Sequence, residues 1–323
     1  METERREDPR TRLCLGTAAL GRPAYMTLGH ADDLPEGRSP EAMERHAHAM
    51  FDAAYARGLR AIDTARSYGK GEAFVRSWLD ARGLSPGAIF VSSKWGYRYI
   101  GEWRLDAEKH EVKDHSVDAL RAQLAESRAA LGPYLSLYQI HSATQESGVL
   151  ENDAVLDELA RARDAGLRIG LTASGPAQAV TVRRALEIRR GGAPLFSAVQ
   201  ATWNLLERSC EDALREAHAA GLTVMLKEIF ANGRLSPRGD AAGGTLGELA
   251  RAHGVGVDAV AVAAALAQPF ADRIVLGSAT QAQLDSHLAG ADLQLAYGAL
   301  EALAALREAP DAYWRRRAAI PWS

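Results

Sequence analysis

The sequence predicts an α/β fold, a (β/α)8 TIM barrel formed as a single domain with long loops over the C-terminal face. Three observations carry this. Eight short apolar runs recur along the 323 residues, helical segments separate them, and several of those segments stop at a glycine. Each run is continuously apolar rather than alternating, as in strands buried on both faces. Strands that alternate with helices pair in parallel through right-handed crossovers. Eight of them favour ring closure over an open, doubly wound sheet.

The runs cover residues 12–17, 59–63, 88–94, 135–141, 167–174, 196–201, 222–227 and 273–278. The first helix begins at Ser39-Pro40-Glu41, with Ser39 as N-cap and Pro40 at the first helical position, and it ends before Gly58. Further helices are expected over 72–82, 116–131, 153–165, 177–189, 210–220, 246–252, 257–267 and 280–289. Gly83, Gly132, Gly166, Gly221 and Gly290 follow five of them, as a left-handed C-cap requires. Three longer connections, 18–38, 95–114 and 228–244, each follow a strand and therefore lie over one end of the barrel. The domain reading is a polar leader over 1–10, the barrel over 11–290 and a tail over 291–323. Tyr297, Tyr313, Trp314 and Trp322 of the tail could cover the same end or dock elsewhere.

Composition narrows the function. An apolar fraction of 47% supports an ordinary core. No apolar run approaches the roughly 20 residues that cross a bilayer, so no membrane partner is expected. With 38 Lys and Arg against 41 Asp and Glu, the net charge is −3, which gives no electrostatic case for nucleic acid. The two cysteines, Cys14 and Cys210, form no Cys-x-x-Cys pair. The first residues are charged and lack the apolar segment of a secretion signal, making the cytoplasm the default location. His110 and His115 stand five apart, not the four that would put both on one helix face, so no metal is expected. Oligomeric state stays open.

Active sites of such barrels gather at the C-terminal ends of the strands. Read there, the runs end in Asp63, Lys94, His141, Ser174, Gln200 and Lys227, with Tyr68 just past Asp63. Singly, each has a plainer explanation: Asp63 as a turn or cap, Lys94 as a surface charge, His141 as a satisfied histidine, Tyr68 as packing. As a set they suit proton transfer. A free tyrosine, with a pKa of about 10, is a poor acid near neutrality. A nearby cation lowers that value, and Lys94 is the candidate, with Asp63 as its counter-charge. His141 could hydrogen-bond the substrate oxygen. No side chain donates hydride, so reduction of a carbonyl would need a nicotinamide.

Ile62-Asp63-Thr64-Ala65-Arg66-Ser67-Tyr68-Gly69, Ser93-Lys94-Trp95-Gly96 and Tyr138-Gln139-Ile140-His141-Ser142 closely resemble the aldo-keto reductases, and the likeness runs from Leu13 to Leu288. The resemblance implies a catalytic tetrad of Asp63, Tyr68, Lys94 and His141, with Tyr68 the general acid and NADPH the usual hydride source. It also implies that Gln200 holds the carboxamide, that Trp203 stacks on the nicotinamide and that Ser174 assists. The run Gly277-Ser278-Ala279-Thr280, with Gln283 and His287, resembles the family's adenosine-phosphate loop. NADP is the implied cofactor. NAD is the alternative, because Ala279 stands where relatives carry an Arg or Lys against the 2′-phosphate. Glu228 would repel a pyrophosphate unless paired, with Lys227 or Arg234 as the expected partner, and either cation could then meet phosphate. Trp95 and Tyr97 are candidate substrate contacts for a small carbonyl or sugar. Two other readings remain: a Schiff-base aldolase or lyase using Lys94 or Lys227, and a cofactor-binding regulatory subunit without turnover.

Overall fold

The computed structural model describes residues 8–34 and 37–323. The expected leader over 1–10 therefore lies mostly outside the described residues, and the chain is followed from Asp8 into a 3-10 turn, Pro9–Arg12. Eight parallel strands then close a barrel: β1 Leu13–Gly16, β2 Ala61–Asp63, β3 Phe90–Trp95, β4 Leu135–Ala143, β5 Arg168–Ala173, β6 Ala198–Thr202, β7 Thr223–Lys227 and β8 Arg273–Leu276. Each apolar run supplies one strand. The ring shuts where Leu13, Cys14 and Leu15 of β1 pair with Ile274, Val275 and Leu276 of β8.

The helices fall where caps and periodicity put them: α1 Pro40–Ala56, α2 Gly71–Ala81, α3 Val117–Leu131, α4 Asp153–Asp164, α5 Gln178–Glu187, α6 Glu211–Ala219, α7 Gly244–His253, α8 Val257–Leu266 and α9 Gln281–Ala289. Ser39 Oγ accepts the Ala42 amide at 3.2 Å, the expected cap. Gly83, Gly132, Gly166 and Gly221 take positive φ, but Gly290 does not: its φ is −66°. Glycine is needed there for closeness, since a Cβ would sit 2.3 Å from the Ala259 carbonyl of α8. Helix α5 stops two residues before the expected 189. Arg189 and Arg190 instead pair antiparallel with Pro194 and Ala193 across a turn at Gly191 and Gly192.

Along each strand, side chains alternate between barrel interior and helix layer. The lower interior is filled by Phe90, Leu137, Ala198, Met225 and Val275. Two residues further on, the same inward rows carry Ser92, Gln139, Gln200 and Lys227, and then Lys94 and His141. The interior thus changes from apolar to polar towards the C-terminal ends. Outward rows such as Val91, Leu171 and Val199 pack against the helices.

Two additions shape that end. The 95–114 connection contains an antiparallel hairpin, Tyr97–Tyr99 with Glu111–Lys113. The tail forms α10 Tyr297–Ala304 and α11 Pro310–Ala318. Buried Tyr313 accepts a hydrogen bond from Asn204 Nδ2 at 2.9 Å, and the Glu308 amide donates to the Leu206 carbonyl at 2.8 Å. Ser323 exchanges backbone hydrogen bonds with Tyr25 in the β1 loop. The tail is thus bonded to the segments that follow β1 and β6. Among the described residues no single helix is long and apolar enough to cross a membrane.

Candidate active site

Asp63, the last residue of β2, and Lys94 of β3 meet inside the barrel. Lys94 Nζ donates to Asp63 Oδ2 at 2.5 Å and to the Thr64 carbonyl at 2.8 Å. Asp63 Oδ1 also accepts from Ser92 Oγ at 2.6 Å. Lys94 is only 1% exposed, and a charge so buried needs this pairing. Beyond β2 the chain stays beside β3: the Thr64 amide donates to the Ser92 carbonyl and the Arg66 amide to the Lys94 carbonyl. That path brings Tyr68 back over the lysine, with Nζ 5.0 Å from the ring centroid. The four residues of the resemblance gather at one place.

The phenol departs from the sequence expectation in one respect. Burial pushes the Tyr68 pKa up, the Asp63 carboxylate adds to the push, and Arg22 opposes it. Lys94, paired with Asp63, does not overcome that push. In this state Tyr68 is a protonated phenol, a proton donor rather than a phenolate.

His141 lies edge-on to Tyr68, ring centroids 5.6 Å apart, and to Tyr97 at 4.9 Å. Strand β4 is irregular between Ile140 and Ala143, and Ser142 has φ of 53°. The bulge leaves the His141 carbonyl to accept from His115 Nε2 at 2.9 Å, while the Ser142 amide donates to Thr172 Oγ1 at 2.7 Å. Burial, reinforced by Lys94 and Lys227, holds the His141 pKa well below the usual value. A neutral imidazole results. Its Nδ1 is buried without a hydrogen-bond partner.

A cavity of about 360 Å³ opens above these groups. Asp63, Tyr68 and His141 stand on its wall, as do Tyr97, Ser174, Gln200, Lys227 and Gly277 of the sequence candidates. Lys227 Nζ is 2.9 Å from Thr202 Oγ1 and 3.3 Å from Ser174 Oγ, and its pKa falls to about 8 through burial. Gln200 is buried with no polar partner nearer than Met225 Sδ at 4.0 Å. Trp203 and Trp95 are not on the wall: the Trp203 indole donates to Glu211 at 3.2 Å, and Trp95 is buried edge-on to His115.

At the β8 rim the candidate side chains bond one another and the start of α9. Ser278 Oγ meets His287 Nδ1 at 2.7 Å, and His287 Nε2 lies 3.4 Å from Asp258. Thr280 and Gln283 form a capping box at the start of α9. These side chains have partners already, and none of the four lines the cavity. Phe230, stacked on His287 at 3.9 Å, does. Arg234 pairs with Asp240 and Glu308, away from Glu228. The main partner of Glu228 is instead Arg317 of α11, bound through both carboxylate oxygens at 2.8 and 2.5 Å, with Lys227 at 3.7 Å. Burial alone would raise the Glu228 pKa, but Arg317 and Lys227 pull it down to about 2.

Sequence reasoning missed Arg22, Glu111, Lys113 and Arg317, all on the cavity wall. Each sits in a long connection or the tail, where no periodicity fixes direction. Trp322, noted only as a tail aromatic, lies on the same wall and stacks on His110 at 4.5 Å.

A closed eight-stranded barrel thus carries a buried Lys–Asp pair under a tyrosine and a histidine at the C-terminal ends of its strands. The chain belongs to the aldo/keto reductase family, whose model matches residues 12–308. Among solved structures it is similar to an aldo-keto reductase from Bacillus halodurans in its holo form, at 18% identity and TM-score 0.68, covering 92% of each chain. It is also similar to a protein assigned as an aldo-keto reductase from Pseudomonas aeruginosa, at 21% identity and TM-score 0.61, covering 87% of this chain and 89% of that one. A third, assigned as a 2,5-diketo-D-gluconic acid reductase B, shares 20% identity at TM-score 0.62, covering 92% and 88%. At these identities the structural likenesses speak to the fold. No curated protein matches the chain.

Proposed function

We propose that this protein is an NAD(P)H-dependent oxidoreductase that interconverts an aldehyde or ketone with its alcohol, Tyr68 delivering the proton. The observation that carries the reading is the buried Lys94–Asp63 pair beneath a protonated Tyr68 at the floor of the cavity. The residues suit a dinucleotide at the nicotinamide end. Gln200 offers a buried amide lacking a strong partner, Ser174 stands beside it, and nothing lies within 4 Å of a Cβ built on Gly277. Lys227 and Arg317 against Glu228 leave one positive charge over for a phosphate. A reduced nicotinamide held there would supply the hydride.

The side chains then divide the remaining work. Neutral His141 orients the carbonyl oxygen towards the phenol by a hydrogen bond. Tyr68 gives its proton to that oxygen as negative charge develops on it. Lys94, fixed by Asp63 and the Thr64 carbonyl, keeps its Nζ 5.0 Å from the ring, where it supports the negative charge that develops on the phenol oxygen. Tyr97 supplies an aromatic wall for the substrate.

Cofactor choice rests on Ala279. Its side chain offers a 2′-phosphate nothing, and its carbonyl is taken by His46 Nε2 at 2.6 Å. We retain NADP as the family default, with NAD the alternative that Ala279 favours. Separate titrations with NADPH and NADH, followed by a panel of aldehydes, ketones and sugars, test the proposal. Saturable binding and turnover are expected. Absence of binding of either dinucleotide would refute it. The lowered Lys227 favours one second reading, imine formation with a carbonyl substrate. Borohydride trapping of substrate on Lys227 would support that reading instead.

A further inference from the structure

Arg22 is 2% exposed, lies on the cavity wall, and is not among the four residues of the tetrad. Its place follows from two glycines. A Cβ on Gly21 would come within 2.3 Å of the Tyr68 carbonyl, and one on Gly69 within 2.5 Å of the Gly21 carbonyl. Their absence lets the β1 loop close onto the turn that bears Tyr68. The guanidinium carbon lies 5.0 Å from the Tyr68 centroid, 4.7 Å from Trp322 and 5.5 Å from Tyr25.

Only one corner of this guanidinium is used. Nη1 donates to the Ser67 carbonyl at 3.1 Å and to Glu111 at 2.7 Å. Nε is buried without a partner, and Nη2 makes no hydrogen bond among the described residues. Nη2 is the donor left for an anion, and a hydrogen bond from a guanidinium to a carboxylate is charge-assisted. A buried donor left unmatched costs free energy until something accepts from it. Lys113 adds a second cation on the same wall. It donates to the Ser142 carbonyl at 2.9 Å, lies 5.4 Å over the Tyr97 ring, and makes no ion pair among the described residues. Two cations thus face one carboxylate, Glu111, at the substrate end.

From this we infer that the substrate is an anionic carbonyl compound, an oxo acid or acidic sugar whose carboxylate binds the Arg22 guanidinium on the cavity wall with Lys113 in support. The inference deepens the carbonyl-reducing reading and rests on it. The test compares kcat/KM for 2-, 3- and 4-carboxybenzaldehyde with that for their methyl esters. At least one acid is expected to exceed its ester by ten- to a hundredfold, the range of a charge-assisted hydrogen bond. The acid's KM should rise with ionic strength while the ester's holds steady. Arg22→Met should bring the acid-to-ester ratio near unity, mainly through the acid's KM. Arg22→Lys should recover part of it, and Glu111→Gln should increase it. Because the salt series uses the unaltered protein, the inference stays testable if Arg22→Met fails to fold. Esters turned over as well as every acid, with no salt dependence, would overturn it while leaving carbonyl reduction standing. No turnover of acid or ester would overturn both.

Discussion

The rim formed by β2 to β4 and the rim formed by β8 and α9 both carry several candidate residues, yet the folded chain treats them differently. At the first rim, Asp63, Lys94 and His141 come from strand positions, and their groups meet one another and the cavity. At the second, Ser278, Thr280, Gln283 and His287 satisfy one another and a helix terminus. A polar side chain near a cavity is poised for a ligand only when the protein leaves it something to do. Tyr68 and Arg22, both on the cavity wall, keep a hydroxyl and an Nη2 without a hydrogen bond among the described residues and have that property. The β8 side chains do not.

The sharpest way to break this comparison is Tyr68→Phe. Removing the hydroxyl takes away the phenol that lies over the Lys94–Asp63 pair, and turnover should fall by about 10²–10⁴. Dinucleotide binding, followed by quenching of tryptophan fluorescence, should persist, because the change leaves Ser174, Gln200 and Gly277 in place. A variant that keeps a tenth or more of the activity would remove Tyr68 from the proposed role.

The next effect is on stability. Lys94→Met would strand the Asp63 carboxylate in the barrel, and loss of one partner of a buried pair typically costs about 3–5 kcal/mol. Adding Asp63→Asn should return much of that stability and none of the activity. Denaturant midpoints and initial rates on the three variants separate the two contributions. If the double variant is no more stable than Lys94→Met, the pair does not act as a unit.

What was legible in the sequence follows the same division. Strand ends could be read because a period of two fixes which side chains point inward once the apolar run is located, so Asp63, Lys94, His141, Gln200 and Lys227 came out together. Residues whose direction depends on a distant segment could not. Arg22 reaches the site because Gly21 and Gly69 allow two backbones to touch, and Arg317 because α11 crosses back over β7. At Trp203 a motif position suggested stacking on a ring; in the fold its indole donates to Glu211 on the following helix and lies off the cavity wall. The cap at Thr280 was visible as a pattern, and its meaning as structure became clear only from its bonds to Gln283.

The Glu228 cluster lies between the two rims in size of effect. Its carboxyl is held near pKa 2 by Arg317 and Lys227, below the roughly 4.3 of an unfolded chain. Since the folded value is the lower one, the stabilisation is complete above about pH 4.3 and is lost as pH falls towards 2. Thermal midpoints measured from pH 6 to pH 2.5 should decline along that limb. Glu228→Gln should flatten it, while costing roughly 3 kcal/mol at neutral pH by leaving Arg317 unpaired. An unchanged acid limb would mean that the tail is not held to β7 by this charge.

The smallest effect is the one that tests the β8 rim itself. Thr280 Oγ1 accepts the Gln283 amide at 3.2 Å, and Gln283 Oε1 accepts the Ala279 amide at 2.8 Å and the Thr280 amide at 3.3 Å. If the threonine serves α9, Thr280→Ala should cost about 1 kcal/mol of stability, as loss of an N-cap does. The affinity for NADH and for NADPH should then change by less than about twofold, because the altered group was never free to reach a phosphate. A tenfold loss of affinity for either dinucleotide, at unchanged stability, would show that the capping groups turn to the ligand when it binds. The two rims would then differ only before the cofactor arrives, and the β8 side chains would belong to the site after all.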